Sequence, residues 1–194
     1  MKSGSIGTDT DHAIEVLRNG GVIGFPTETV YGLAADASNS VAVNRIFDIK
    51  GRPRNHPLIV HLDSLAKARF WSADWSASAE ILGALFWPGP LTVIVAKALT
   101  VRHEVTGGLE TLALRVPNHA VALEVLQGLE GGVAAPSANK FGKVSPTTAE
   151  HVLADLGSEV DYILDGGPCS IGLESTIVDC SRDIPMVLRP GGIS

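Results

Sequence analysis

Cysteine is scarce in this sequence, and its scarcity excludes several kinds of site. The 194 residues contain two cysteines, Cys169 and Cys180, which lie too far apart to form a C-x-x-C pair. A zinc cluster or a disulfide framework needs more cysteines at closer spacing. We therefore expect two free thiols, as is typical of a protein kept in a reducing cytoplasm.

The sequence also lacks the common motifs for binding phosphates or forming covalent intermediates. It contains no G-x-x-x-x-G-K-[ST] loop, no G-x-G-x-x-G fingerprint and no G-x-S-x-G elbow. His103-Glu104 does not start a zinc-binding helix, because the residue four positions after His103 is Gly107. The six histidines are scattered along the chain, so we predict no metal held by protein side chains.

Long apolar runs and an excess of positive charge are missing as well. No apolar stretch approaches the length that a bilayer-spanning helix needs, and no apolar run follows a basic start. We therefore expect no membrane association. The net charge of −6 excludes a surface built throughout for nucleic-acid backbones and leaves room for one local basic cleft.

The apolar content is sufficient for one sizeable core. Hydrophobic residues make up 45% of the chain, which at this length is typical of one compact domain. Helical periodicity alternates with short apolar runs, so we predict an α/β fold with a twisted, mixed parallel and antiparallel sheet flanked by helices. Residues 1–9 are predicted to be a flexible N-terminal tail, and residues 10–194 to form the domain.

A basic segment, residues 50–57, joins a predicted helix to a predicted strand. Gly51 is expected to end the helix, and the rigid turn after it to display Lys50 and Arg52. Cations in a last turn suit the negative end of the helix dipole, so one interpretation is a basic cap that faces water. The other interpretation is a set of cations that binds an anion.

Two further segments place polar groups at the ends of predicted strands. Residues 26–33 are rich in hydroxyls and follow a strand, which is where α/β proteins bind ligands. A threonine-rich turn that caps backbone groups has the same pattern. Arg115, near the end of a strand over residues 111–117, forms either a structural ion pair or a bidentate contact with a substrate carboxylate.

A second polar loop offers Ser137, Asn139 and Ser145 after a strand of small residues. Ser145-Pro146 is typical of a helix start, so we predict that Ser145 caps a helix over residues 147–156. Such a helix end favours an anion such as phosphate. Cations, hydroxyls and backbone donors from four loops together suit a nucleoside triphosphate beside a small polar substrate, with no covalent nucleophile.

Seven motifs in this order resemble the YrdC-like family of L-threonylcarbamoyladenylate synthases, in its single-domain form, over about residues 10–193. The motifs are Pro26-Thr27-Glu28-Thr29-Val30-Tyr31-Gly32-Leu33, Lys50-Gly51-Arg52-Pro53, Pro57-Leu58-Ile59-Val60-His61, Trp87-Pro88-Gly89-Pro90-Leu91-Thr92, Ala135-Pro136-Ser137-Ala138-Asn139, Ser145-Pro146-Thr147 and Gly172-Leu173-Glu174-Ser175-Thr176. The K-x-R and S-x-N pairs that mark the family's active site are Lys50 with Arg52 and Ser137 with Asn139.

The resemblance implies an open concave active-site cleft and a nucleotidyltransferase. L-threonine, bicarbonate and ATP would condense to threonylcarbamoyl-AMP and pyrophosphate, for the threonylcarbamoyl modification of the tRNA adenosine beside the anticodon. It also implies Mg²⁺ arriving with ATP and, as a partner, the downstream tRNA threonylcarbamoyl transferase complex. The implied catalytic residues are Lys50, Arg52, Ser137 and Asn139; the ATP-binding residues are Arg52, His56, Thr111, Ser137, Ser145 and Arg189; the L-threonine-binding residues are Thr29, His61, Arg115, Ala135 and Ser175.

Two other functions stay open at this point. Similar domains form carbamoyladenylate from carbamoyl phosphate, usually within large multidomain chains. The fold has also been associated with double-stranded RNA, so a non-catalytic module with weak RNA binding is the second alternative, which the net acidity disfavours. Longer relatives carry a second, C-terminal domain, and this chain is either a single-domain enzyme or one domain of a longer protein.

Overall fold

An eleven-stranded mixed sheet organises the chain in a computed structural model, which describes residues 4–193. The strands are β1 (Ser5–Gly7), β2 (Ile23–Phe25), β3 (Gly32–Asp36), β4 (Ile59–His61), β5 (Ser72–Asp74), β6 (Leu91–Lys97), β7 (Thr111–Arg115), β8 (Val133–Ala134), β9 (Tyr162–Leu164), β10 (Thr176–Asp179) and β11 (Met186–Arg189). Their order across the sheet is β1-β9-β2-β3-β8-β4-β7-β6-β10-β11, and β5 pairs with β6. Parallel and antiparallel neighbours both occur, so the predicted mixed sheet is confirmed.

Helices flank this sheet on both faces. They are α1 (Thr10–Arg18), α2 (Ser40–Lys50), α3 (Leu65–Phe70), α4 (Ala77–Phe86), α5 (His103–Thr106), α6 (Ala120–Leu129) and α7 (Ala149–Leu156). Helix α2 ends as predicted at Gly51, whose φ of 63° is left-handed. A residue without a Cβ adopts this φ without a steric clash.

Side chains along the strands alternate between two cores. In β9, Ile163 lies in the larger core, whereas Tyr162 and Leu164 lie in the smaller one. Ile23 and Phe25 of β2 also lie in the smaller core, whereas Val22, just before this strand, lies in the larger one. Such alternation with both sets buried is the pattern of a sheet covered on both faces.

The smaller core extends over one half of the sheet. Helices α1 and α6 build it by packing against β2, β3, β8 and β9, and it includes no residue of β4, β6, β7 or β10 in the described part of the chain. On the same face, those four strands present Ile59, His61, Ala113, Arg115, Ile94 and Ile177 to a cavity. The fold therefore leaves half of one sheet face open for ligands.

The predicted flexible tail over residues 1–9 is wrong for residues 4–9. Strand β1 pairs in parallel with β9, and Ile6 packs against the larger core. The strand is missed in the sequence because only one of its side chains is apolar, so no alternation is visible. Residues 1–3 lie outside the described residues.

The sequence predicts that Ser145 caps α7 and that Gly128 ends α6, and both boundaries differ in the structure. Thr148, rather than Ser145, caps α7 and accepts a hydrogen bond from the His151 N–H at 3.3 Å. Gly128 lies within α6, where a Cβ would be 2.4 Å from Cδ1 of Ile14. A glycine here lets α1 and α6 approach closely. None of the helices in residues 4–193 has the length and apolar character needed to cross a membrane.

We expect Leu17→Ala to destabilise the protein by about 2–5 kcal/mol, because it leaves a cavity between α1 and the sheet. Leu17 is fully buried in the smaller core. Leu99→Ala is the matched control, since Leu99 is 99% exposed, and we expect it to change stability by no more than about 0.5 kcal/mol. Urea unfolding of both variants measures the difference, and equal losses would contradict the assigned core.

Candidate active site

A cavity of about 290 Å³ lies on the uncovered half of the sheet. Across its floor, Ile59 pairs with Ala113 and His61 pairs with Arg115, between β4 and β7. An apolar pair and a polar pair are thus adjacent along the same two strands. The predicted site residues that line the cavity are Thr29, Arg52, His61, Arg115, Ala135, Ser137, Ser175 and Arg189.

Arg115 is buried at the floor of the cavity and uses all three of its nitrogens. Nε donates to the carbonyl of Gly89 at 3.2 Å, and Nη1 donates to Oγ1 of Thr29 at 2.8 Å. Nη2 lies 2.7 Å from Oε1 of Glu28, and both side chains of this ion pair are buried. The structural ion pair is therefore present, and the same guanidinium also lines the cavity.

The hydroxyl-rich segment serves both of the purposes that the sequence suggests. Oγ1 of Thr27 donates to the carbonyl of Val30 at 2.7 Å and accepts from the Thr29 N–H at 3.2 Å, as a capping hydroxyl does. Thr29 lines the cavity and bonds to Arg115. Thr27 thus shapes the turn and also lines the cavity, as Thr29 does.

His61 is an electrically neutral wall of the cavity. Burial, and secondly the positive charge of Arg115, lower the pKa of His61 from 6.5 to about 3. Its ring packs edge-on against Phe25, with 6.1 Å between the ring centroids. Near neutral pH, Arg115 is therefore the charged member of the pair.

The cations of the basic segment have three different surroundings. Arg52 lines the cavity. Arg54 forms an exposed ion pair with Asp48 at 2.6 Å, which matches the interpretation of a basic cap facing water. Lys50 is 2% exposed, so the prediction that the turn displays it is wrong. Gly51, which is left-handed, lies between Lys50 and Arg52, and the two side chains have different surroundings.

Lys50 connects the K-x-R pair to the S-x-N pair. Its Nζ donates to the carbonyl oxygens of Ser137 and Asn139. Burial, and secondly the charge of Arg52, lower the pKa of Lys50 to about 8, so the amine is protonated near neutral pH. Lys50 thus holds, from behind, the loop that presents Ser137 to the cavity.

On the cavity wall, Glu174 links two of the residues that the resemblance assigns to ATP. Oγ of Ser145 donates to Oε1 of Glu174 at 2.9 Å, and Arg189 forms an ion pair with Oε2. Nε and Nη2 of Arg189 donate to the carbonyl of Ser175 at 3.1 and 2.9 Å. Oγ of Ser175 lies 2.8 Å from Oγ1 of Thr92.

Some predicted site residues lie next to the cavity and not on its wall; they are Lys50, His56, Thr111, Asn139 and Ser145. The His56 ring packs against Phe141, with 5.6 Å between the ring centroids. Thr111 begins β7 opposite Ala96. Nδ2 of Asn139 donates to the carbonyls of Lys140 and Lys143, both at 2.8 Å. Contacts of these five residues with a substrate stay predictions.

Sequence reasoning misses two carboxylates, Glu28 and Glu174. Both lie inside the motifs that carry the family resemblance. Each is a lone acid in a stretch of hydroxyls, which is a usable signal for an ion pair. Only the fold identifies the partners, because Arg115 and Arg189 are distant in sequence.

The described residues do not fit a metal ion held by the protein. Residues 4–193 contain no group of three or more His, Cys, Asp or Glu side chains placed to bind one. Glu174 is the carboxylate on the cavity wall, and Arg189 already pairs with it. Magnesium keeps most of its waters and binds with substrate phosphates, so any magnesium here would arrive on the nucleotide.

We expect His61 to make the protein sensitive to acid. Its folded pKa lies below its unfolded value of 6.5, so the unfolded chain binds more protons between about pH 3 and 6.5, and stability falls as the pH falls through this window. Between pH 7.5 and pH 5, the loss from this group is about 2 kcal/mol. Urea unfolding of the wild type and of His61→Gln at both pH values measures it. An equal loss in the two proteins would contradict a buried neutral histidine.

Comparisons with known proteins identify relatives of this chain. The family model Sua5/YciO/YrdC, described as telomere recombination, matches residues 15–191. The threonylcarbamoyl-AMP synthase of Pyrococcus abyssi is 46% identical over 177 residues, which are 91% of this chain and 52% of the relative. The enzyme of the same name from Bacillus subtilis is 48% identical over 183 residues, 94% of this chain and 53% of the relative. The chain thus spans about half the length of these curated relatives.

A solved structure extends the comparison to three dimensions. The crystal structure of P. abyssi Sua5 complexed with L-threonine superposes with a TM-score of 0.92 at 45% identity, covering 94% of this chain and 53% of that chain. The matched family model and the structural superposition lead to the same assignment. This chain belongs to the Sua5/YciO/YrdC family.

Proposed function

We propose that this chain carries the activity of an L-threonylcarbamoyladenylate synthase. It would condense L-threonine, bicarbonate and ATP to threonylcarbamoyl-AMP, with release of pyrophosphate. Relatives at 46% and 48% identity bear this name, and the related Sua5 structure was obtained with L-threonine. The observation that carries the proposal is the arrangement of one buried cation and several hydroxyls at the cavity floor, with further arginines at its sides.

The floor suits a small amino acid. Arg115 supplies a fixed positive charge for a carboxylate, and neutral His61 beside it adds no repulsion toward an ammonium group. The hydroxyls of Thr29 and Ser175 offer donors and acceptors close by. Because Glu28 balances the charge of Arg115, the guanidinium is held in place before any substrate arrives, which reduces the ordering that binding requires.

The sides of the cavity suit the phosphates of ATP. Arg52 and Arg189 line it from the helix-to-strand turn and from β11, and Ser137 adds a hydroxyl and a backbone N–H. The backbone of Arg189 belongs to a paired strand, and its guanidinium is fixed on Ser175. Cations in fixed positions stabilise the charge that develops on transferring phosphoryl groups.

The chemistry requires no covalent enzyme intermediate. The amino group of threonine adds to bicarbonate to give a carbamate and water. A carbamate oxygen then attacks the α-phosphate of ATP and expels pyrophosphate, so the new P–O bond replaces the one that breaks. The chain's contribution would be to hold the three substrates in line and to neutralise charge.

The product is a reactive mixed anhydride, so a downstream enzyme must use it as a substrate. We propose the tRNA threonylcarbamoyl transferase complex as that partner and the cytoplasm as the compartment. The family resemblance and the free thiols of Cys169 and Cys180 support these two proposals. Weak RNA binding would assist the transfer.

We expect Arg52→Ala to lower kcat/KM for ATP roughly 10- to 100-fold, because a charge-assisted contact with phosphate is lost. The assay is pyrophosphate release with ATP, Mg²⁺, bicarbonate and labelled L-threonine. Arg54→Ala is the matched control from the same turn, since Arg54 pairs with Asp48 on the surface, and it should retain full activity.

The same assay separates the alternatives. Pyrophosphate release that depends on both threonine and bicarbonate supports the synthase. Release that depends on carbamoyl phosphate, with no effect of threonine, would indicate carbamoyladenylate formation instead. Binding of double-stranded RNA without any pyrophosphate release would contradict an enzymatic function of this chain.

We expect Lys50→Met to act through the loop that Lys50 holds. Without the amine, the carbonyls of Ser137 and Asn139 lose their donor, and the position of Ser137 becomes less defined. The affinity for ATP should fall at least about tenfold, while L-threonine binding at the floor changes less. Calorimetric titration with ATP and with L-threonine measures the two affinities. Equal losses of affinity for both ligands would indicate general destabilisation.

A further inference from the structure

Glu174 places a negative charge among groups suited to bind phosphate. Its carboxylate lies on the cavity wall, accepts a hydrogen bond from Ser145 and pairs with Nη1 of Arg189. Its charge also acts on Arg52, whose pKa is lowered by burial and raised in opposition by Glu174. A carboxylate in this position would repel a triphosphate unless it moved or exchanged partners.

The contacts of Arg189 show which of its hydrogen-bond partners a phosphate could replace. Nε and Nη2 are held by the carbonyl of Ser175, and this edge of the guanidinium fixes its position. Nη1 is the remaining edge, and Glu174 engages it. A phosphate oxygen could therefore replace the carboxylate on Nη1 without moving the arginine.

The exposure of the pair permits such an exchange. The side chains of Arg189 and Glu174 are 34% and 39% exposed, unlike the pair of Arg115 and Glu28, whose exposures are 4% and 6%. A half-exposed ion pair contributes little to stability and can be opened at low cost. Opening the deeply buried pair would leave an uncompensated charge.

We propose that Glu174 is an internal competitor for the phosphate subsite formed by Ser145, Arg189 and Arg52. A phosphate group of ATP takes over the donors of Ser145 and Arg189, and Glu174 turns toward solvent. After the reaction, the carboxylate returns to Arg189 and favours the departure of pyrophosphate. Glu174 thus lowers the affinity for both ATP and pyrophosphate. The assignment of these anions rests on the proposed function.

The test is calorimetric binding of inorganic pyrophosphate in buffer without divalent metal, with the wild type and Glu174→Gln. The amide has nearly the same shape and can still accept from Ser145, but it carries no charge. We expect roughly 3- to 10-fold tighter binding in the variant. Glu80→Gln is the matched control, because Glu80 pairs with Arg69 outside the cavity at 40% exposure, and its affinity should equal that of the wild type.

Unchanged or weaker pyrophosphate binding in Glu174→Gln would overturn the proposal. Weaker binding of MgATP alone, with pyrophosphate unchanged, would identify Glu174 as a contact of the metal ion and would overturn it too. Enzymatic release of pyrophosphate from ATP, measured alongside binding, distinguishes failure of the Glu174 proposal from failure of the proposed synthase activity. Threonine-dependent release with no gain in affinity removes only the role of Glu174. A gain in affinity without threonine-dependent release removes only the synthase.

Discussion

The unequal cover of one sheet face is the constraint on which the site depends. The close contact of α1 with α6, which Gly128 permits, covers the strands of the smaller core. The remaining strands continue the same alternation of side chains, but their residues on that face meet a cavity. Polar residues such as His61 and Arg115 therefore occupy positions that are filled by apolar residues a few strands away. The alternation of side chains along the strands therefore places both the apolar residues of the core and the polar residues of the site on this face.

Charge balance is the second constraint, and the way a charged side chain is paired depends on how deeply it is buried. Arg115 at the floor is paired with Glu28, and both side chains are buried, so an unpaired charge there would be costly. Lys50 is satisfied by two backbone carbonyls, which ties the basic turn to the loop of Ser137. Toward solvent, Arg189 and Glu174 form a pair that can exchange. Burial thus separates the fixed charges of the site from those that can respond to a ligand.

Much of the fold could be predicted from the sequence, because long periodic segments carry their own signal. The helix that ends at Gly51 and the central strands such as β6 were identifiable from period and from the glycine. Strand β1 was not, since its pairing with β9 depends on a distant segment. The cap at Thr148 was also missed, because Ser145-Pro146 satisfies the same local rule, and local chemistry alone cannot choose between two valid caps.

The site could be predicted as a set of residue types but not as an arrangement. Lys50 and Arg52 stand two positions apart in one motif, and a sequence reading treats them as equivalent cations. One left-handed residue between them sends Lys50 behind the loop and Arg52 to the cavity. The two residues look alike in the motif but have different surroundings, because Lys50 bonds to the loop carbonyls and Arg52 lines the cavity. Gly51 therefore ends the helix between a cation that bonds to the loop carbonyls and a cation that lines the cavity.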